Sequence, residues 1–209
     1  MLTVVAQLSQ EQPTIYTLKI LEIDSMGKEI IVKQVVGKLD SNTFVIEKGA
    51  TVIIIDAGAS VEKVKTALNG KKPQGIFLTH EHYDHTWCLE DYKKEFDCKV
   101  YNQHSPQLDF KPKGANFEDL DLGDFKIQIL YCPGHSKNSV VYKIDNLLFT
   151  GDVLFGNTIG RTDLMKDGDR LMQQTLKKLL DVKFDLAYHG HYESSIHQEQ
   201  QKNIKRFIK

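Results

Sequence analysis

The sequence predicts an α+β protein, an αββα sandwich of two mixed sheets with helices on the outer faces. Runs rich in Ile, Val and Leu fall in two blocks, residues 14–79 and 99–150, and helical periodicity closes each block. The composition, 209 residues with 41% hydrophobic and 26% charged side chains, is that of one soluble domain with enough chain for a sizeable core. Layer logic alone stops at α+β. Two β blocks that each end in helices suggest two sheets packed face to face. The expected organisation is a single domain over 1–209, with residues 1–35 as an N-terminal strand addition.

The elements follow in order. Residues 14–24 and 30–36 read as strands. Phe44-Val45-Ile46 and Val52-Ile53-Ile54-Ile55, joined through Lys48-Gly49, read as a hairpin ending at Asp56. Ser60 is placed to cap a helix over 61–69, closed by Asn69-Gly70. A strand over 75–79 and a helix near 86–96 follow. Strands are then expected near 99–101, 117–120, 125–131, 139–144 and 147–150. Asp169 opens a helix over about 170–180, with Leu171, Leu176, Leu179 and Leu180 at helical spacing. A strand over 185–188 and a helix from Ser194 complete the pattern.

The densest chemistry lies in Thr79-His80-Glu81-His82-Tyr83-Asp84-His85, directly after the apolar run Gly75-Ile76-Phe77-Leu78. Imidazole and carboxylate are ligands of a borderline metal such as zinc. Only 8 of 209 residues are His, so neither packing nor chance explains three of them here. His80 and His82 are two apart, and extended backbone presents them on one face. Asp84 and His85 turn away and can serve a second ion. Three further segments repeat one grammar, an apolar run, then Gly, then a ligand-type residue. Phe125–Leu130 leads through Cys132-Pro133-Gly134 to His135, Leu147–Gly151 leads to Asp152, and Leu186–Gly190 leads to His191. Glycine before the ligand lets the backbone turn sharply at a strand end. Asp56-Ala57-Gly58 also ends a strand, and Asp56 is better suited to forming a turn or bracing a metal-bound histidine than to binding metal itself.

These motifs, in this order, resemble the metallo-β-lactamase-fold hydrolase superfamily. The stretch Phe149–Leu164 is similar to its glyoxalase II-like branch, especially short single-domain members, and to the persulfide dioxygenases. The resemblance runs from about Val36 to the C-terminus and implies the αββα sandwich and a metal-dependent hydrolase. Residue by residue, it implies that His80, His82 and His135 hold one ion, that Asp84, His85 and His191 hold a second, and that Asp152 bridges them. It implies two divalent ions, zinc first, although iron and manganese suit the same donors. Dioxygenases of this fold hold one iron through equivalents of His80, His135 and Asp152, so the number of ions stays open. In the hydrolase reading a metal-acidified water is the nucleophile, with Asp84 also orienting it. A small acyl thioester suits such a site, because a thiol of pKa about 8.5 leaves without a general acid. A persulfide dioxygenase and a metal-stabilised binding module without turnover are the alternatives, and the presence of Asp84 argues against the last.

Arg161, in Gly160-Arg161-Thr162-Asp163, either clamps an anionic substrate group or makes a buried ion pair with Asp163. Lys137 and Tyr192 are the other candidates for substrate contact, weighed against a solvated lysine and a rim-packing tyrosine. Where many relatives read Pro-Gly-His-Gly, this chain has His189-Gly190-His191-Tyr192, and alignment selects His191 as the ligand. Trp87-Cys88 stands where many relatives have small residues, so the indole is expected to narrow the site or pack beneath it. Little chain follows His191, so the helical domain that supplies glutathione contacts in full-length glyoxalase II is not expected. His104 and His197 read as surface or capping residues, and Cys132 as a small hydrophobe.

The net charge is 27 − 28 = −1, which gives no general pull toward nucleic acid or an anionic membrane. No run has the length of a membrane span. The first residues lack the basic start of a signal peptide. Cys88, Cys98 and Cys132 are odd in number and lack a paired spacing. The expected setting is the cytoplasm and the expected partner is a small molecule, with oligomeric state left open.

Overall fold

The computed structural model describes residues 9–12, 15–23, 29–102 and 118–209; His104 and residues 1–8 of the N-terminal addition lie outside these. The fold class is α+β, with two mixed sheets and their helices. The chain divides into two compact units. One comprises Met1–Leu78, Tyr83–Tyr101 and Asp121–Phe125, the other Thr79–His82, Asn102–Leu120 and Lys126–Lys209.

The first unit is built on a seven-stranded sheet whose order follows the sequence: β1 (Ser9–Gln12), β2 (Ile15–Ile23), β3 (Glu29–Val36), β4 (Asn42–Lys48), β5 (Thr51–Ile55), β6 (Gly75–Phe77) and β7 (Lys99–Tyr101). The predicted hairpin is present as β4 and β5, with Phe44 opposite Ile55 and Lys48 opposite Thr51. Beyond Ile55 the pairing becomes parallel, Ile53 with Gly75 and Gly75 with Lys99. That change requires crossovers, and the first is α1 (Val61–Leu68). Ser60 Oγ accepts from the Lys63 amide at 3.5 Å, and Asn69, left-handed at φ 49°, closes the helix. Val64, Ala67 and Leu68 are buried at i, i+3 and i+4, and join Val35, Val45, Ile54, Ile76 and Tyr92 in the core of this unit. Burying a side chain such as Val64 or Leu68 contributes about 2 kcal/mol.

The helix expected near 86–96 is instead two, α2 (Tyr83–Thr86) and α3 (Leu89–Phe96). The break falls at Cys88, whose amide donates to the Ala57 carbonyl at 2.8 Å rather than to the preceding turn. A short 3-10 turn at Lys38–Asp40 joins β3 to β4, where the sequence pattern marks no element.

The second sheet has the order β13 (Ser195–Ile196), β12 (Leu186–Tyr188), β11 (Leu147–Phe149), β10 (Val140–Ile144), β9 (Phe125–Tyr131), β8 (Glu118–Leu122). β9 and β11 both run antiparallel to β10, and β12 runs parallel to β11. β9, β11 and β12 therefore finish at one end of the sheet. Helix α4 (Gly168–Leu179) buries Met172, Thr175, Leu176 and Leu179, so its inner face is led by Met172 rather than by the expected Leu171. Helix α5 (His197–Phe207) starts three residues after Ser194, because Ser195 first pairs with Ala187 of β12. Leu130, Cys132, Val141, Leu148, Met172, Leu176 and Ile204 form the core of this unit. Among the described residues no helix is long and apolar enough to cross a membrane.

Candidate metal centre

Strand register brings the candidate ligands of the second unit to one end. The three strands that finish together end at Tyr131, Phe149 and Tyr188, each a few residues before His135, Asp152 or His191. The start of β10 is at the same end, and its Val140 amide donates to the Thr79 carbonyl at 2.8 Å, which places His80 and His82 beside it. Two of the turns require glycine. Gly134 (φ 148°) and Gly151 (φ 49°) have positive φ, and a Cβ on them would lie 2.7 Å from Met172 Cα and 2.5 Å from Thr79 Oγ1 respectively.

The ligand atoms of His80, His82 and His135 all lie within 4.8 Å of one another. Their rings meet edge to face, with centroids 4.6–5.1 Å apart. His135 Nε2 is 2.8 Å from His82 Nδ1 and 3.5 Å from Asp152 Oδ2. His191 Nε2 is 3.6 Å from the same Asp152 oxygen. One carboxylate oxygen thus stands between two imidazole nitrogens, beyond hydrogen-bond length from both.

The donor set fits a divalent cation. His135 Nδ1 lies 3.0 Å from the Arg161 carbonyl, which can only accept, so Nδ1 carries the proton and the Nε2 lone pair faces His82 and Asp152. His80 Nδ1 is held 3.0 Å from Thr79 Oγ1, which directs its Nε2 away from that hydroxyl. Fixing the far nitrogen of a metal-binding histidine in this way sets its tautomer and ring orientation. The loop carrying His135 is held from both sides. Thr175 Oγ1 of α4 donates to the Pro133 carbonyl at 2.8 Å, and Ser136 Oγ donates to Glu81 at 2.8 Å.

Asp84 and His85 belong to the first unit. There His85 is fully buried, with Nδ1 2.9 Å from Asp56 Oδ2 and Nε2 3.6 Å from Asp84 Oδ2. Asp56 is itself buried, and its carboxylate fixes the ring as the Arg161 carbonyl fixes His135.

His189 is placed differently from His191. Its Nδ1 is 2.8 Å from Thr150 Oγ1, and its Nε2 is 2.8 Å from Ser195 Oγ. Burial pushes its pKa down to about 4 despite smaller opposing contributions, so it is a neutral structural residue with both nitrogens engaged. Cys132 is fully buried, and burial pushes its thiol up to about 12, as a small core side chain requires. His197 packs edge to face on Phe184 at 4.6 Å.

The substrate candidates divide. The Arg161–Asp163 pair forms in bidentate geometry at 2.8 and 2.7 Å; its side chains are 64% and 68% exposed, so of the two readings of Arg161 the ion pair is present, at the surface rather than buried. Hydrogen bonding from Arg161 holds the Asp163 carboxyl down at about 2. Lys137 is exposed, and its carbonyl accepts from Tyr131 Oη at 2.7 Å. Tyr192 is 72% exposed, has φ 65°, and lies edge to face on Phe155 at 5.6 Å. Trp87 is 44% exposed.

Comparison with known proteins places these features in a family. A model of the metallo-beta-lactamase superfamily matches residues 36–191, well over half of the chain. The chain is 29% identical over 196 residues to the probable metallo-hydrolase YqgX of Bacillus subtilis, covering 80% of this chain and 93% of that protein. It is 33% identical over 113 residues to a hydroxyacylglutathione hydrolase of Idiomarina loihiensis, covering 53% of this chain and 44% of that protein. Among solved structures, the BLEG-1 B3 metallo-beta-lactamase superposes with a TM-score of 0.74 at 25% identity, over 85% of this chain and all of that one.

Proposed function

Because the chain belongs to the metallo-β-lactamase superfamily, we propose that it is a metal-dependent hydrolase acting on small acyl thioesters. The observation that carries the reading is the convergence of His82, His135 and His191 with Asp152, with the far side of His135 braced by the Arg161 carbonyl. Similarity to a hydroxyacylglutathione hydrolase over about half of this chain supports the thioester. In this reading, which carries the superfamily's motif over residue by residue, His80, His82 and His135 would hold one ion, Asp84, His85 and His191 would hold a second, and Asp152 would serve both. Zinc, iron and manganese all suit these donors. When bound, such ions supply an acidified water and positive charge opposite a developing oxyanion.

The chain's own residues have distinct tasks. Thr79, Asp56 and the Arg161 carbonyl hold His80, His85 and His135 in the orientation that ligation needs. The Asp84 carboxylate, 19% exposed, orients the attacking water. The leaving thiolate needs no proton from the enzyme, so the lack of an assigned general acid suits a thioester better than an amide. The setting in this reading is the cytoplasm, with a small-molecule partner and neither nucleic acid nor membrane. The near-neutral charge and three free cysteines support that setting.

The test is a metal count on protein purified without chelator, run beside two assays. The expected result is bound zinc, iron or manganese together with thiol release from lactoyl-glutathione. Oxygen uptake with glutathione persulfide and no thioester cleavage would transfer the protein to the iron dioxygenases. Bound metal with neither activity on a broad thioester panel would favour a non-catalytic module.

A further inference from the structure

We propose that Lys38, Leu39, Tyr83 and Trp87 form a recognition platform for the substrate, selecting a thioester that carries a carboxylate beside an apolar arm. The proposal rests on the thioesterase reading and names the substrate class for it.

Single exposed apolar residues are ordinary on a protein surface, whereas a group of them is informative. Leu39, Tyr83 and Trp87 are 68%, 56% and 44% exposed, and all three belong to the first unit. Tyr83 and Trp87 are four apart across the short helix α2, and their rings meet edge to face at 4.4 Å. Lys38 Nζ lies 3.4 Å from the indole centroid and 5.6 Å from the phenol centroid. This is a cation–π contact on a solvent-facing surface. Among the described residues Lys38 pairs with no carboxylate, so the patch presents one cation set on two aromatic rings.

The backbone beneath it is strained. Leu39 and Asp40 have φ 55° and 58°, a left-handed conformation that non-glycine residues rarely adopt. An exposed leucine gains no burial in return for that strain. Several hydrogen bonds enforce it. Gly37 N donates to Ser41 O at 2.7 Å, Lys38 N to Gly58 O at 3.2 Å, and Ser41 Oγ to Lys38 O at 3.0 Å. Ser41 Oγ also contacts the Asp84 carbonyl at 2.8 Å. The strained turn is therefore fastened to the peptide of Asp84, the residue assigned to orient the attacking water, and Tyr83 is its chain neighbour. The indole, phenol and leucine suit an apolar acyl or alkyl arm, and the ammonium suits a carboxylate. Arg161, the other candidate anion clamp, already holds Asp163 with both prongs of its guanidinium.

Trp87 is the only tryptophan in the chain, so its fluorescence reports on the platform directly and without turnover. The purified, metal-loaded protein is titrated with S-hexylglutathione, a thioether that cannot be hydrolysed, and with the same compound esterified at both carboxylates. The expected result is a saturable fluorescence change, with the free acid binding about tenfold tighter than the diester, as a charge-assisted contact supplies. Lys38→Met should abolish that preference. For lactoyl-glutathione, Lys38→Met and Trp87→Leu should raise KM more than they lower kcat, with unchanged thermal melting. No fluorescence response, or a preference that survives Lys38→Met, overturns the platform. Saturable binding by a protein that hydrolyses no thioester supports the platform and sinks the thioesterase reading. Hydrolysis with no effect of either variant on KM sinks the platform alone.

Discussion

Glu47 in the first unit and Asp152 in the second are both buried carboxylates, and their surroundings differ in kind. Glu47 receives the Lys33 ammonium on one oxygen and the Lys71 ammonium on the other, each at 2.5 Å. Burial alone would raise its pKa, but these two partners outweigh burial and hold it below the ordinary carboxylate value. Lys33 also donates to the Ala67 carbonyl at 2.6 Å, tying β3 and β4 to α1. The negative charge is matched within the chain by direct hydrogen bonds. Asp152 instead has two imidazole nitrogens at 3.5 and 3.6 Å, separations of ligand atoms around an ion rather than of hydrogen-bonded partners. A buried carboxylate that lysines neutralise is a fastening, and one ringed by imidazoles is suited to a cation from outside the chain.

The sharpest break between the two is Asp152→Asn. It should lower thioester hydrolysis by at least about 100-fold, because an amide is a much poorer ligand than a carboxylate. Metal content by elemental analysis should fall with it, while the denaturation midpoint of the metal-free protein moves little. A variant that keeps both metal and activity would remove Asp152 from the centre. Glu47→Gln should do the reverse. Losing the carboxylate strands Lys33 against the sheet and should cost about 2 kcal/mol, less than a fully buried pair because Lys71 is half exposed. Metal content and kcat should stay at wild-type values. The pH dependence follows from the lowered pKa of Glu47. Its contribution is fully present above the ordinary value of 4.5 and is lost as pH falls through the lower native value. Urea denaturation from pH 7 to pH 3 should show the gap between wild type and Glu47→Gln closing below about 4.5; a constant gap would argue for packing rather than charge.

The two regions were not equally legible in the sequence. His80, His82, His135, Asp152 and His191 are legible because each sits beyond a strand end in a short motif of polar donors; strand register brings His135, Asp152 and His191 to one end, and the Val140–Thr79 backbone hydrogen bond sets His80 and His82 beside it. The groups that orient them were harder to see. The Arg161 carbonyl that fixes His135 is backbone and leaves no mark in residue type, and Thr79 passes for an ordinary strand residue. Asp56 is legible as a possible brace because its motif ends a strand, and it does hold His85. The break between α2 and α3 depends on the distant Ala57 carbonyl, which local periodicity does not register. The Glu47 fastening was missed for a similar reason. A lone Glu between Ile46 and Lys48 signals nothing until the pairing of β3 with β4 sets Lys33 beside it.

Arg161 offers the smallest and most discriminating test, because its side chain and its carbonyl have separate tasks. The carbonyl holds His135, and the guanidinium meets Asp163 in an exposed pair. Arg161→Ala keeps the carbonyl and removes the pair. Solvent screens an exposed pair and leaves it little net stabilisation, so melting should shift by a few degrees at most. If the side chain only closes the surface loop, kcat/KM for lactoyl-glutathione should stay within about threefold of wild type, since a change that small is under 1 kcal/mol. A loss of tenfold or more in kcat/KM, carried by KM, would mean that substrate draws Arg161 away from Asp163 and that the guanidinium is a clamp. Asp163→Asn separates these outcomes further. It releases the guanidinium, so a clamp would bind anionic substrate more tightly in that variant, whereas a surface fastening would leave KM unmoved.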